Sequence, residues 1–296
     1  APTAVAISII SGNDYIGVQE AAGVVTISGT SAGLPLNTEV QVLVNDTTYK
    51  GFVDANGNWS IALAPGALSG SVDGPLTVTA TAVVNGVTVS DIHTVNLILN
   101  ALPQASNDPL FGDGVLNGSE IQQNQTITGD TGVAGPGQTV SVNLGGNTYT
   151  GTVNENGQWS VTIPSGALNG LTNANSPLPV TVTVTDIAGN TDTSAPINVN
   201  IDVVPPVLSF DPFAANDILN LAEAGATQTL SGVASGAGAG QPVTIVLNGQ
   251  TYNATTGANG VWSVDIPSSA LQALPDGQAT FTVTVTDAAQ NSTTAS

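Results

Sequence analysis

The sequence predicts an all-β chain in which one two-sheet sandwich occurs three times along a rod. Internal repetition is the first observation behind this. NGNWSIALAPGAL (56–68) returns as NGQWSVTIPSGAL (156–168) and NGVWSVDIPSSAL (259–271). Trp59, Trp159 and Trp262 are thereby equivalent, and Tyr49, Tyr149 and Tyr252 each precede their Trp by ten residues. The second observation is a hydrophobic period of two, and the third is turn chemistry between the alternating runs. The repeats imply domains at 1–101, 102–204 and 205–296.

Each element follows from these signals. Val140, Val142 and Leu144 alternate with polar residues, which gives a half-buried strand. Val180, Val182 and Val184 alternate with Thr, as do Phe281, Val283 and Val285, and Ile197, Val199 and Ile201 alternate with Asn. Gly145-Gly146-Asn147, Glu155-Asn156-Gly157 and Ala188-Gly189-Asn190 supply residues that tolerate positive φ. No helical period of useful length is present, so each copy reads as about seven short strands in two antiparallel sheets. The third copy reaches Ser296 inside its expected last strand, which is expected to be incomplete, and the first residues start mid-pattern, as in a fragment.

Composition narrows the function. The chain of 296 residues carries 21 Asp and Glu against one basic residue, Lys50, for a formal charge of −20. That excludes a basic footprint for nucleic acid or an anionic membrane, and it opposes compaction unless cations neutralise it. Only 7% of residues are charged and 41% are apolar, and the apolar ones form strand-like runs, which argues against disorder. There is no Cys, so neither disulfides nor thiol chemistry is available. No apolar run reaches membrane-spanning length. His93 is the single histidine and lies in the first copy only, so no Ser-His or Cys-His arrangement repeats, and no enzyme is expected. It is placed in the first copy's turn between the last two strands. A structural role beside a catalytic domain elsewhere is a further alternative.

Glu20, Glu120 and Glu223 lie about a hundred residues apart. Each closes an acidic or amide-bearing segment: Asn13-Asp14, Asp113-Gly114 and Asn216-Asp217. A carboxylate, a tight turn and a second carboxylate suit a hard cation with oxygen ligands. An EF-hand does not fit, because its first and third positions would be Pro109 and Phe111. Turn initiation by Asp and Asn explains Asp113 or Asn216 alone, but not a carboxylate closing every copy.

The NG-x-WS strand, the T-x-T-V-T-D run with D-x-A-G-N, and the V-x-x-(D/N)-x-x-P linker resemble bacterial immunoglobulin-like repeats. Such repeats build giant type I-secreted adhesins of Gram-negative bacteria, and the acidic, Cys-free composition resembles in particular that of a giant non-fimbrial adhesin of Salmonella. The resemblance covers the whole chain. It implies three tandem immunoglobulin-like β-sandwich domains in a rod, and a secreted protein at the bacterial cell surface. It also implies Ca2+ between neighbouring domains of the same chain, and attachment to a host-cell receptor, a glycan or a biofilm in virulence. The chain is expected to be a monomer that neither binds nucleic acid nor inserts into a membrane.

Strand alternation places the acidic segments. The first-to-second strand connection lies at the end from which the chain leaves a domain, and the D-x-x-G-N turn at the end where it enters. Asp14, Glu20 and Asn100 are therefore expected to meet Asp186 and Asn190. Likewise Asp113, Glu120 and Asp202 are expected to meet Asp287 and Asn291. Each cluster would bring at least three carboxylates together, with backbone carbonyls and water completing the six to eight ligands that calcium takes. Asp91 and Glu223 would face further neighbours. The Trp residues share parity with core positions, and the alternative reading offers their rings to a glycan as repeated stacking faces. Outward Thr at 181, 183 and 185 is ordinary for an exposed strand.

Overall fold

The computed structural model describes residues 2–296. The first repeat contains β1 (Ala4–Ile7), β2 (Tyr15–Ile16), α1 (Val18–Ala22), β3 (Thr26–Ala32), β4 (Glu39–Val44), β5 (Thr47–Phe52), β6 (Asn58–Ala62), β7 (Gly74–Val84) and β8 (Val87–Leu97). Its two sheets run β1-β3-β6 and β2-β8-β7-β4-β5. The second contains β9 (Ser106–Asn107), β10 (Val115–Asn117), β11 (Gln125–Asp130), β12 (Thr139–Leu144), β13 (Asn147–Val153), β14 (Gln158–Ile163), α2 (Ser165–Leu168), β15 (Leu178–Thr185), β16 (Thr191–Thr193) and β17 (Ile197–Asp202). The third contains β18 (Val207–Phe210), α3 (Leu221–Ala224), β19 (Gln228–Ser235), β20 (Pro242–Leu247), β21 (Gln250–Thr255), β22 (Val261–Ile266), α4 (Ser268–Gln272), β23 (Phe281–Thr286) and β24 (Ser292–Ala295). Among the described residues the four α-helices are single turns, too short to leave a helical period.

The strands form where the period of two predicts them. In β12, Val140, Val142 and Leu144 point into the core while Thr139, Ser141 and Asn143 face out. Each repeat has its own apolar core, and the cores draw on residues 5–97, 110–201 and 224–285 respectively. The β4–β5 and β20–β21 hairpins turn through Asn45-Asp46 and Asn248-Gly249, and both residues of each pair have positive φ. That backbone twist matches the right-handed twist of the strands.

The structure differs from the sequence reading in three places. β2 pairs with β8 and β10 with β17 in parallel, so the sheets are not purely antiparallel. The acidic connection carries these short strands, which are too brief for alternation to reveal. In the third repeat, residues 216–219 have no such parallel partner, and Ile218 stays exposed. His93 is not in a turn. It lies within β8 opposite Val78, and the hairpin turns earlier, at Asn85-Gly86. Asn-Gly is the strongest two-residue hairpin signal, and it sets this register.

The three Trp rings are core residues, 2%, 3% and 2% exposed for Trp59, Trp159 and Trp262. They present no stacking face, which removes the glycan reading based on them. Each ring lies across a glycine of the neighbouring strand. A Cβ on Gly29, Gly129 or Gly232 would come within 2.4, 2.4 and 2.9 Å of the Trp ring. The same Cβ would meet a first-strand carbonyl at 1.9 to 2.1 Å, so only glycine fits. Trp59 and Trp159 donate their indole N–H to Thr30 O and Ser106 O, both at 3.2 Å. The Trp262 N–H is buried and finds no partner among the described residues. Gly129→Ala is expected to destabilise the second repeat by about 1–3 kcal/mol through overpacking. Thermal unfolding that resolves this repeat's transition checks the shift.

Candidate metal centre at the repeat junctions

Both junctions are built on one Asn side chain. At the first, Val18 N donates to Asn190 Oδ1 at 2.8 Å. Asn190 Nδ2 donates to Ile98 O at 2.9 Å and to Asp186 Oδ2 at 2.7 Å. At the second, Gly118 N donates to Asn291 Oδ1 at 2.8 Å. Asn291 Nδ2 donates to Asp202 O at 2.9 Å and to Asp287 Oδ2 at 3.1 Å. The amide thus acts as a peptide group lent by the later repeat. It satisfies one N–H at the start of a one-turn helix and one C=O of the exit strand, both in the earlier repeat. Because Nδ2 has two acceptors, the oxygen must face the N–H, and the amide cannot be flipped.

The D-x-x-x-N loop shapes this clasp. Asp186 N donates to Asn190 O, and Asp186 Oδ1 accepts from Ala188 N and Asn190 N, all at 2.9 Å. Asp287 and Asn291 repeat the pattern. Asp186 and Asp287 are 7% and 2% exposed, with no cationic side chain as partner. A close approach completes the fit. A Cβ on Gly17 would lie 2.5 Å from Ala188 O and 2.8 Å from Asn190 Oδ1. Asn13 Nδ2 adds a bond across the junction to Ile187 O at 2.9 Å.

The recurring Glu has a local task. Glu20, Glu120 and Glu223 each accept from the backbone N–H three residues back, on Gly17, Asn117 and Asn220, at 3.2, 3.0 and 2.9 Å. This is the acidic half of a capping box, and it uses one carboxylate oxygen. At the two junctions, the next amide along is the one that the clasp takes.

The remaining predicted residues lie elsewhere. Asp14 turns back into its own repeat, accepting from Ile10 N at 2.9 Å and sitting 2.7 Å from His93 Nε2. Burial raises its carboxyl pKa, but the Ile10 N–H and the His93 ring outweigh this and hold it below the ordinary value. Asn100 binds Asp73 Oδ1 at 3.0 Å through Nδ2, not the next repeat. Asp113 accepts from Val115 N in a turn. The Asp202 side chain accepts from Asn173 Nδ2 at 2.9 Å, and only its backbone carbonyl joins the clasp. Asp91 accepts from Ile7 N within its own repeat rather than facing a neighbour. Among the described residues no three His, Asp or Glu side chains gather at one point, so three carboxylates do not meet at either junction.

Asp73 was not singled out by the sequence. It accepts from Leu99 N at 2.7 Å, Asn100 N at 3.0 Å and Ala101 N at 2.8 Å, tying the linker to the first repeat. Asn173 does the same for Val203 N. Only the shared position ahead of β7 and β15 hints at either residue. Burial raises the Asp73 pKa, but the Ala101 and Leu99 N–H groups and Asn100 together depress it.

The family model for bacterial Ig-like domains matches residues 119–203 and 226–296, and the chain belongs to that family. Among solved structures it is similar to a Ca2+-stabilised adhesin with which an Antarctic bacterium reaches out and binds ice. Identity is 31%, coverage is 99% of this chain and 72% of that one, and the TM-score is 0.47. It is also similar to a 1.5-MDa bacterial ice-binding adhesin, at 29% identity over 99% of this chain and 95% of that one, TM-score 0.44. A bacterial immunoglobulin-like domain from the M. primoryensis ice-binding adhesin is 31% identical over 33% of this chain and 96% of that one, TM-score 0.27. No curated protein sequence matches. The likeness to the Salmonella adhesin rests on composition and motifs alone.

Two outcomes follow for the junctions. Asn190→Ala removes the two bonds that the clasp makes across the first junction, leaving Asn13 to Ile187 O there, and touches neither core. The first and second repeats should then tumble more independently in 15N relaxation, with little change in either melting temperature. The Asp73 carboxyl is held below the ordinary carboxylate value, so its contribution is present above the unfolded-state pKa and lost as pH falls through the depressed folded-state value. The stability advantage of wild type over Asp73→Ala should therefore be full at pH 6 and shrink below pH 3.8 in acid unfolding of the first repeat.

Proposed function

We propose that the chain is a stiff, non-catalytic segment of a bacterial surface adhesin, exported by type I secretion, with domains at 1–101, 102–204 and 205–296. The observation that carries this reading is the recurrence of one clasp, with the same atoms, at both junctions. Linkers that merely connect have no reason to repeat the same two bonds from an Asp-braced Asn to the preceding repeat. A clasp of this kind fixes the angle between successive sandwiches, which is what a spacer projecting a binding site away from a cell requires.

Calcium fits the donor set. The junctions present only oxygen donors: carboxylates, amide oxygens and backbone carbonyls, the set that Ca2+ accepts. Asp186 and Asp287 are buried carboxylates without a cationic partner, and such a charge is costly to bury unpaired. Glu20 with Asp186, and Glu120 with Asp287, are the residues that would hold the ion, with carbonyls and water making up the rest. Asn190 and Asn291 already spend their side-chain oxygens on the clasp, and the side chains of Asp14, Asn100, Asp113 and Asp202 bond within their own repeat, whereas Asp186 and Asp287, though hydrogen-bonded in their loops, brace the clasp itself. When bound, Ca2+ supplies the positive charge that lets acidic ends of adjoining repeats pack together. Its ordinary affinity in extracellular modules, on the order of 10⁻⁴ to 10⁻³ M, would load it outside the cell and leave it empty in the cytosol. Attachment to a host-cell receptor or within a biofilm, and a role in virulence, belong to this reading.

Small-angle scattering of the intact chain in millimolar Ca2+ and in chelator tests the proposal. A longer maximum dimension with Ca2+ is expected, together with calorimetric heats that Glu120→Gln with Asp287→Asn reduces. An unchanged dimension and no binding heat would sink calcium while leaving the clasp.

A further inference from the structure

We infer that the first repeat carries a shallow binding site for a neutral carbohydrate, in the groove between β5, β6 and β3 around Phe52. The groove is lined by Ser8, Ser28, Thr30, Phe52, Asp54 and Asn58, together with Trp59 and Ser60. Phe52 is 58% exposed, an unusual position for an aromatic ring beside a row of hydroxyls.

The other repeats give the independent observation. In the second, the equivalent side chains pair with one another: Thr128 Oγ1 donates to Asp108 Oδ2 at 2.5 Å, and Asn154 Nδ2 donates to Gln158 Oε1 at 3.2 Å. In the third, Ser231 Oγ donates to Asp211 Oδ2 at 2.6 Å, and the Asp54 and Asn58 positions hold Gly257 and Val261. The Phe52 position is Thr152 and Thr255. In the first repeat, Ser8 stands where the others have Asp, and the hydroxyls of Ser8 and Ser28 and the Asn58 amide bond no other side chain among the described residues. Asp54 spends Oδ1 on Asn56 N and Asn58 N, at 2.8 and 2.9 Å, and leaves Oδ2 open. One copy of a thrice-repeated surface has therefore lost its internal pairs and gained an aromatic ring.

The chemistry selects the ligand class. An exposed ring offers a face to the C–H side of a pyranose, while the free hydroxyls, amide and carboxylate oxygen suit its O–H groups. Asp54 and the formal charge of −20 disfavour sialylated or uronic sugars. An open groove binds weakly, so copies presented together would be needed for adhesion. The site is independent of the junctions, and its failure would leave the rod reading untouched.

The test is an amide-shift NMR titration of the intact 15N-labelled chain with lactose, maltotriose and mannotriose, and with sialyllactose as the anionic probe. At least one neutral sugar should shift amides at 28–30 and 52–60. Phe52→Ala and the groove-closing Ser8→Asp should each weaken binding by at least about tenfold, and Phe52→Tyr should retain it. The inference is overturned if no neutral sugar shifts these amides, if binding survives both weakening variants in folded protein, or if sialyllactose binds more tightly.

Discussion

The amide of a single asparagine holds each pair of successive repeats. A side-chain amide has the same donor and acceptor as a peptide group, so Asn190 and Asn291 can bond a strand end and a helix start at once. Their effect depends on being fixed from behind, by the buried Asp four residues earlier. Such buried polar contacts must be fully satisfied to be favourable, and here each atom of the amide has a partner. Hydrogen bonds from fixed atoms thus link each repeat to the one before it.

This arrangement explains the spacing of several otherwise unremarkable residues. Gly17 is small because Ala188 O and Asn190 Oδ1 come up against it. Glu20 and Glu120 cap the one-turn helix Val18–Ala22 and the 3-10 turn Glu120–Gln122, and the amide next to each capped N–H donates to the clasp Asn. Asp73 and Asn173 pin the linkers, so the carbonyls of Ile98 and Asp202 are presented in place. The acidic chemistry at the junctions is largely spent on the backbone. What remains unspent is one oxygen of each capping Glu and the charge of the buried Asp, which is where a cation would act.

The repeats are alike in core and unlike in surface. The Trp-over-Gly contact recurs in all three, because a ring and a glycine fill the same space only together. On the outside, the first repeat departs from the others at Ser8, Phe52 and Asn58, and its β7–β8 hairpin turns at Asn85-Gly86 where the others carry the clasp loop. The clasp therefore has a direction along the chain: the second and third repeats each reach back to the one before.

The amino-acid sequence alone determined the repetition, the strand faces, the inward Trp and the ends at which the repeats meet. Period-two alternation and turn residues are local signals, and three copies in one register reinforce them. It also named Asn190 and Asn291 among residues at the junctions. Tertiary structure decided which atoms those residues touch. Asp14 found His93 and Asn100 found Asp73, because a side chain bonds the nearest satisfied geometry rather than the nearest acidic cluster. The parallel pairings of β2 and β10, the place of His93 within β8, and the open groove beside Phe52 all rest on contacts between residues far apart in the chain, and no local pattern encodes those distances.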